Sequence, residues 1–292
     1  MKDNDRADSH EVRISKAYHN LEFLDGPDAR TIRVLCEFVE PSARFRKHGI
    51  RNTVVFFGST RILSPEAAAQ RMREMEKSAS GEARREAAAR AKDRGEFADG
   101  LEAARRDVKM SRYYRDAREL ARRLTQWSAS QADPRRRVTI CTGGGPGIME
   151  AANRGAADAG GKSVGLNISL PMEQAPNPFQ TPELALEFHY FFIRKFWFFY
   201  MARALCVFPG GFGTMDELFE LLTLVQTRKS RKYMPIVIYG REYWDEVIDF
   251  GAFLRRGVIS PEDLNLFRFF DDVGSAFDYL KKELSLEIRA PK

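Results

Sequence analysis

Two carboxylates one helical turn apart, Glu217 and Glu220, stand just behind the glycine-rich turn Pro209-Gly-Gly-Phe-Gly-Thr214. A carboxylate can orient or deprotonate a water and can stabilise developing positive charge. Backbone N–H groups at the start of a helix are unpaired and carry positive partial charge, so they bind phosphate. The turn follows the apolar run Ala204-Leu-Cys-Val-Phe208 and opens a segment predicted as helix, Thr214 to Thr227. Strand, phosphate-sized loop and acid-bearing helix predict an anion site beside an acid/base site. That pairing suits chemistry on a phosphorylated small molecule.

A second glycine-rich turn, Thr142-Gly-Gly-Gly-Pro-Gly147, follows the strand-like run Arg137-Val-Thr-Ile-Cys141 and leads into a helix from Ile148. Neither turn ends in Gly-Lys-Ser/Thr, which excludes a P-loop. Ile148 stands where a dinucleotide fingerprint has its third glycine. The next strand ends on Asn167 rather than on an acid for a ribose diol. Both features argue against a nicotinamide cofactor. One glycine cluster marks a tight turn as readily as a ligand; two at strand-to-helix junctions favour an anion site.

The elements that must position these residues follow from the apolar pattern. Thr53-Val-Val-Phe-Phe57, Ala204 to Phe208 and Ile236 to Tyr239 are short, almost wholly apolar runs, the signature of strands buried on both faces, and Ser163 to Ile168 reads as a further strand. Weaker strand signals lie near Leu186 to Tyr190 and Leu266 to Phe270. Helices are predicted over Ala29 to Phe45, Tyr114 to Trp127, Tyr243 to Arg255 and Ser275 to Leu284. Alternating strands and helices predict an α/β, Rossmann-like parallel sheet with helices on both faces. The loops after its strands converge on one crevice. The expected organisation is a single domain over residues 1–292, with an N-terminal helical extension (1–50) and a helical insertion in the first crossover (64–112).

The insertion is rich in Ala, Arg and Glu. Between Glu66 and Arg112 it carries 12 basic and 10 acidic residues, so its charges nearly cancel. Gly81, Gly95 and Gly100 are predicted to divide it into a helical hairpin that precedes the crossover's own helix. Two readings stay open: a solvated arm, or a protein-interaction surface.

Composition narrows the function classes. The net charge of +6 is spread among interleaved acids, which speaks against a nucleic-acid platform and leaves a mild bias toward anionic small molecules. Cys36, Cys141 and Cys206 lie far apart, with no Cys/His metal spacing, as expected of a reducing cytoplasm. The first residues, Met-Lys-Asp-Asn-Asp-Arg, contain no apolar core of a secretory signal. The aromatic run Phe188 to Tyr200 is too short to span a bilayer and carries Arg194 and Lys195 in its middle. It reads as a buried helix whose charges need partners. No membrane or nucleic-acid partner is expected.

Pro209-Gly-Gly-Phe-Gly-Thr-Met-Asp-Glu217, with Arg194-Lys195 upstream and Thr142-Gly-Gly-Gly-Pro-Gly-Ile-Met-Glu150, resembles the LONELY GUY (LOG) family of nucleoside 5′-monophosphate phosphoribohydrolases, formerly mislabelled lysine decarboxylases. The resemblance covers about Thr53 to Leu284, without the segment from Ser64 to about Arg112. Phe57-Gly-Ser-Thr-Arg61, Asn167-Ile-Ser-Leu-Pro-Met-Glu173 and the N-terminal helices look like the longer bacterial branch.

The resemblance implies an N-glycosidase of the AMP nucleosidase type, acting on a purine nucleoside 5′-monophosphate (AMP or a cytokinin riboside monophosphate) without metal or organic cofactor. It implies catalytic roles for Arg194 and Glu217. Gly210, Gly211, Gly213 and Thr214 would hold the 5′-phosphate. Gly58, Ser59, Gly144, Gly145 and Gly147 would line the cleft, with Lys195 among the substrate-binding residues. Glu173 and Asn177 would lie in a loop facing the base. Glu220 would support Arg194 or anchor the helix.

Plainer readings stand beside these. Glu217 is placed to complement a helix dipole, and Arg194 to form a structural ion pair. The aromatics from Phe191 to Tyr200 cover too much of one helix for a single buried stripe, which leaves two readings open: part of them packs against another subunit, or all of them pack in the core. The resemblance implies a homodimer or a larger homo-oligomer. A different functional class is a non-catalytic carrier of a phosphorylated cofactor such as molybdenum cofactor, whose single phosphate suits the same loop. An amino-acid decarboxylase finds no support, since no lysine sits in a recognisable pyridoxal phosphate setting.

Overall fold

The computed structural model describes residues 16–80, 91–170, 175–229 and 232–287. In chain order its elements are α1 (Leu21–Asp25), α2 (Arg30–His48), β1 (Thr53–Phe57), α3 (Pro65–Ser80), α4 (Ala91–Ala129), β2 (Thr139–Thr142), α5 (Ile148–Asp158), β3 (Ser163–Ile168), β4 (Ala185–Phe188), α6 (Phe191–Met201), β5 (Ala202–Val207), α7 (Phe212–Gln226), β6 (Ile236–Tyr239), α8 (Arg241–Val247), α9 (Phe250–Arg255), β7 (Arg268–Phe270) and α10 (Val273–Glu287).

All seven strands pair in parallel, in the order β4-β3-β2-β1-β5-β6-β7. The chain therefore builds outward from β1 to β4, crosses back through α6, and lays β5 against the other side of β1. Loops after β1 and β5 leave toward opposite faces, which opens a crevice between them. The expected Rossmann-like architecture is the one observed.

β1 shows why its sequence is apolar from Val54 to Phe57. Val55 and Phe57 join a core with Phe45 of α2, Trp197 and Phe198 of α6 and Leu218 of α7. Val54 and Phe56 point the other way, into a core with Leu120 of α4, Ile148 of α5 and Leu280 of α10. Successive strand side chains alternate faces, and helices cover both, so every position of β1 is buried.

Three expectations on element boundaries are corrected. The insertion is a hairpin of α3 and α4, but α4 runs unbroken through Gly95 and Gly100 into the predicted crossover helix. A glycine inside a helix costs roughly 1 kcal/mol. The buried run Tyr113, Tyr114, Ala117, Leu120, Ala121 and Leu124 outweighs that cost. At Gly100 the missing side chain also makes room, because a Cβ there would lie 2.6 Å from the Met75 methyl of α3. Gly81 lies outside the described residues. The helix expected from Tyr243 to Arg255 is two, α8 and α9, divided at Asp249, whose carboxylate accepts from the Ala252 N–H and restarts the helix. The strand expected over Arg137 to Cys141 begins at Thr139, because Pro134–Arg136 form a 3-10 turn capped by Asp133.

Among the described residues no helix is long and apolar enough to cross a membrane.

Candidate active site

The ends of β1, β2, β3 and β5 meet at a cavity of about 630 Å³, walled further by α6 and α7. Pairing between β1 and β5 continues past their last residues: Phe208 N–H donates to the Phe57 carbonyl and Ser59 N–H to the Pro209 carbonyl, at 2.8 and 2.9 Å. The two loops are thereby held side by side.

The turn before α7 is built to leave donors free. Thr214 and Met215 N–H both close back on the Gly211 carbonyl at 3.0 Å. The N–H groups of Gly211, Phe212 and Gly213 take no partner among the described residues. Gly210 is required sterically, since a Cβ there would lie 2.1 Å from the Thr214 hydroxyl oxygen. Such free donors at a helix N-terminus suit an anion.

The second glycine turn is braced from below. Gly147 has φ +71°, and a Cβ on it would come within 2.3 Å of the Ser59 carbonyl, which accepts the Ile148 N–H. The Asn177 amide donates to the carbonyls of Gly144 and Gly145, and the Gln180 amide donates to Gly144. Asn153 accepts from Thr142 and Asn177. Asn177 is thus buried and committed to shaping the loop, which corrects the expectation that it faces the base.

Arg194 on α6 and Glu217 on α7 approach each other at 3.8 Å across the cavity wall, with side chains 14% and 7% exposed. The guanidinium lies over the rings of Phe191 and Phe198, at 5.3 and 5.5 Å from their centroids. Its Nε makes no hydrogen bond among the described residues. Burial pushes the Glu217 carboxyl up to about 7, and Arg194 only partly opposes this. Burial also pulls Arg194 below its ordinary value, against the pull of Glu217. A carboxyl that titrates near neutrality is suited to acid/base work there.

Lys195 points away from this pair. It bridges Asp216 at 2.7 Å and Glu220 at 2.8 Å, tying α6 to α7. Burial disfavours its charge, but the two carboxylates outweigh this and raise it. Lys195 is therefore a clamp between helices rather than a substrate-binding residue, and Glu220 supports Lys195 rather than Arg194.

Of the other residues singled out from sequence, Gly58, Ser59, Gly145, Gly211, Gly213 and Thr214 border the cavity with Arg194 and Glu217. Gly144 turns its carbonyl inward to Asn177 and Gln180, and Gly147 packs on Ser59, so both shape the loop instead of lining the cavity. Gly210 faces the neighbouring cavity on the far side of the loop. Glu173 lies outside the described residues. Sequence reasoning missed the apolar wall: Met149, Ile168, Leu170, Phe191, Phe198 and Phe212. Phe212, inside the glycine turn and 92% exposed, carried a legible signal, because a large apolar residue in a ligand loop has no packing duty.

A family model described as possible lysine decarboxylase matches residues 149–280. The chain also aligns with the pyrimidine/purine nucleotide 5′-monophosphate nucleosidases of Escherichia coli K12 and Escherichia coli O157:H7. Identity to each is 27% over 169 residues, covering 52% of this chain and 35% of the relative. The aligned part thus spans about a third of the length of those curated relatives. Among solved structures, a molybdenum cofactor carrier protein from Chlamydomonas reinhardtii matches with a TM-score of 0.41 and 20% identity, over 60% of this chain and 89% of the other. A molybdenum cofactor binding protein from Rippkaea orientalis matches with a TM-score of 0.38 and 16% identity, over 58% and 86%.

Proposed function

We propose that the chain, whose residues 149–280 match the family model and which aligns with nucleotide 5′-monophosphate nucleosidases, acts as a LONELY GUY-type enzyme. It hydrolyses the N-glycosidic bond of a purine nucleoside 5′-monophosphate, AMP or an N6-prenylated relative, to free base and ribose 5-phosphate. The observation that carries this reading is the buried Arg194–Glu217 pair standing beside the free N–H groups of the phosphate loop.

In this reading the 5′-phosphate sits on the N–H groups of Gly211, Phe212 and Gly213. Glu217 is one helical turn further along α7, within reach of the sugar of the same ligand. The C1′–N bond breaks with its electron pair leaving on the base, and positive charge grows on the ribose ring. The Glu217 carboxylate stabilises that charge and accepts the proton of the water whose oxygen bonds to C1′. That proton then passes, directly or through solvent, to the base nitrogen that took the electron pair, which leaves free base and ionised Glu217. Arg194, in contact with two aromatic rings, offers a planar donor fork to a phosphate, to sugar hydroxyls or to Glu217 itself. Side chains and water carry every step. A decarboxylase is not favoured: the lysine nearest the pair is tied between two acids, and no lysine borders the cavity among the described residues.

The test is release of free base from AMP and from an N6-prenyl AMP, with Glu217→Gln as control. Turnover by the wild type and its loss in the variant support the reading. Normal binding of these nucleotides with no base released by the wild type would sink it in favour of the carrier.

The reading includes a homo-oligomer working in the cytoplasm. Phe192, Phe196 and Tyr200 form an exposed stripe on α6, and Ile32, Leu35 and Val39 form another on α2. The two helices touch through the rings of Phe38 and Phe196. Apolar area of this kind is what a subunit contact covers. Light scattering of the wild type and of Phe196→Glu checks it, with a smaller species expected for the variant.

A further inference from the structure

The phosphate loop contains one peptide whose direction its own sequence leaves open. Between Gly210 and Gly211 neither residue has a side chain, so both flanking torsions can rotate widely and the peptide plane can turn over. A trans peptide points its carbonyl and its N–H in opposite directions. Whichever way the Gly210 carbonyl faces, the Gly211 N–H faces the other.

The structure assigns Tyr243 to this choice: we infer that it is a positioning residue, whose hydroxyl fixes the Gly210 carbonyl and so aims the Gly211 N–H into the cleft. The hydroxyl donates to that carbonyl at 2.8 Å. Tyr243 and Gly210 line the cavity on the outer side of the loop. Gly213 and Thr214 line the cleft on the inner side. Gly211 borders both spaces.

Tyr243 is itself anchored. Its ring meets the edge of the fully buried Trp244 at 5.2 Å, and the Trp244 indole N–H donates to the Tyr239 carbonyl at 3.0 Å. One residue before it, Glu242 pairs with Lys109 and Arg112 of α4. The inserted hairpin therefore braces the helix that carries Tyr243, which gives that arm a place in the architecture of the site.

The inference rests on the nucleotide reading only for the identity of the anion. The experiment measures affinity of the full-length protein for AMP and for adenosine by calorimetry, together with the Gly211 amide signal by NMR. Tyr243→Phe removes only the hydroxyl. Tyr239→Phe is the control, since it removes a buried tyrosine hydroxyl that bonds Asp116 and the Asp271 carbonyl instead. Tyr243→Phe is expected to weaken AMP about tenfold, to leave adenosine within about twofold, and to broaden or move the Gly211 amide signal. Tyr239→Phe is expected to lower thermal stability without changing the preference for AMP over adenosine. Equal loss for both ligands, or AMP affinity unchanged in a folded Tyr243→Phe, overturns the positioning role while leaving the nucleotide reading intact. A wild type that prefers adenosine to AMP overturns both.

Discussion

The guanidinium of Arg194 stops 3.8 Å from the carboxylate of Glu217, too far for a hydrogen bond and too near for either charge to ignore the other. An ion pair serving stability alone would close this gap, because a buried pair is favourable only with good geometry and further hydrogen bonds. Here the Arg194 Nε lacks a partner among the described residues, and burial holds Glu217 up at about 7 despite the neighbouring cation. The arrangement is complementary to something placed between or beside the two groups.

The first expectation concerns pH and rate. If Glu217 takes a proton from water, it must be ionised, so kcat for base release rises with pH through about 7 and levels off above it. Steady-state rates from pH 5 to 9 check this. A rate that falls over that range would give Glu217 the role of an acid.

The same group makes a stability prediction with the opposite sign. Glu217 titrates higher in the fold than its ordinary 4.5, so its contribution is fully present below that value and is lost as pH rises through about 7. Ionising it at pH 8 removes on the order of 3 kcal/mol. Glu217→Gln is therefore expected to match the wild type near pH 4.5 and to melt higher at pH 8, by roughly 5 °C or more. Thermal scans of both proteins at the two pH values decide it. A variant less stable than wild type at pH 8 would mean the pair is a net stabilising ion pair.

Arg194→Lys keeps the charge but removes the planar fork that the two phenyl rings contact. The expected result is a kcat reduced by about 10²-fold with little change in melting temperature. In Arg194→Met, Glu217 loses its nearest cation and its titration moves further up. The pH–rate midpoint of Arg194→Met, or the carbon signal of the Glu217 carboxyl, reads this directly.

Much of the sheet and of the site could be read from the chain itself, because both depend on local pattern. Val54 to Phe57 is apolar at every position, and only a strand covered on both faces needs that. Pro209 to Glu217 announces a strand end, a free helix terminus and an acid one turn on. What escaped was set by contacts between distant segments. Asn177 and Gln180 carry no local sign that they hold the Gly144 carbonyl. Nothing around Gly95 or Gly100 tells that packing along α4 overrides their helix-breaking tendency. The partners of Lys195 likewise depend on how α6 lies against α7, and adjacency to Arg194 in sequence suggested a shared role. Side chains at successive helix positions diverge by about 100°, so neighbours of this kind face different surroundings.

Lys195 therefore tests structure against motif. Its ammonium joins Asp216 and Glu220, which are 58% and 40% exposed, so the bridge is partly solvated and contributes modestly, about 1 kcal/mol. Lys195→Met keeps the aliphatic stem against the helices and removes the charge. Its melting temperature should fall by a few degrees, while KM for the nucleotide stays within about threefold. The rate midpoint should drift upward, because Lys195 is the second cation that favours ionised Glu217. A rise in KM of tenfold or more, with stability unchanged, would return Lys195 to the ligand.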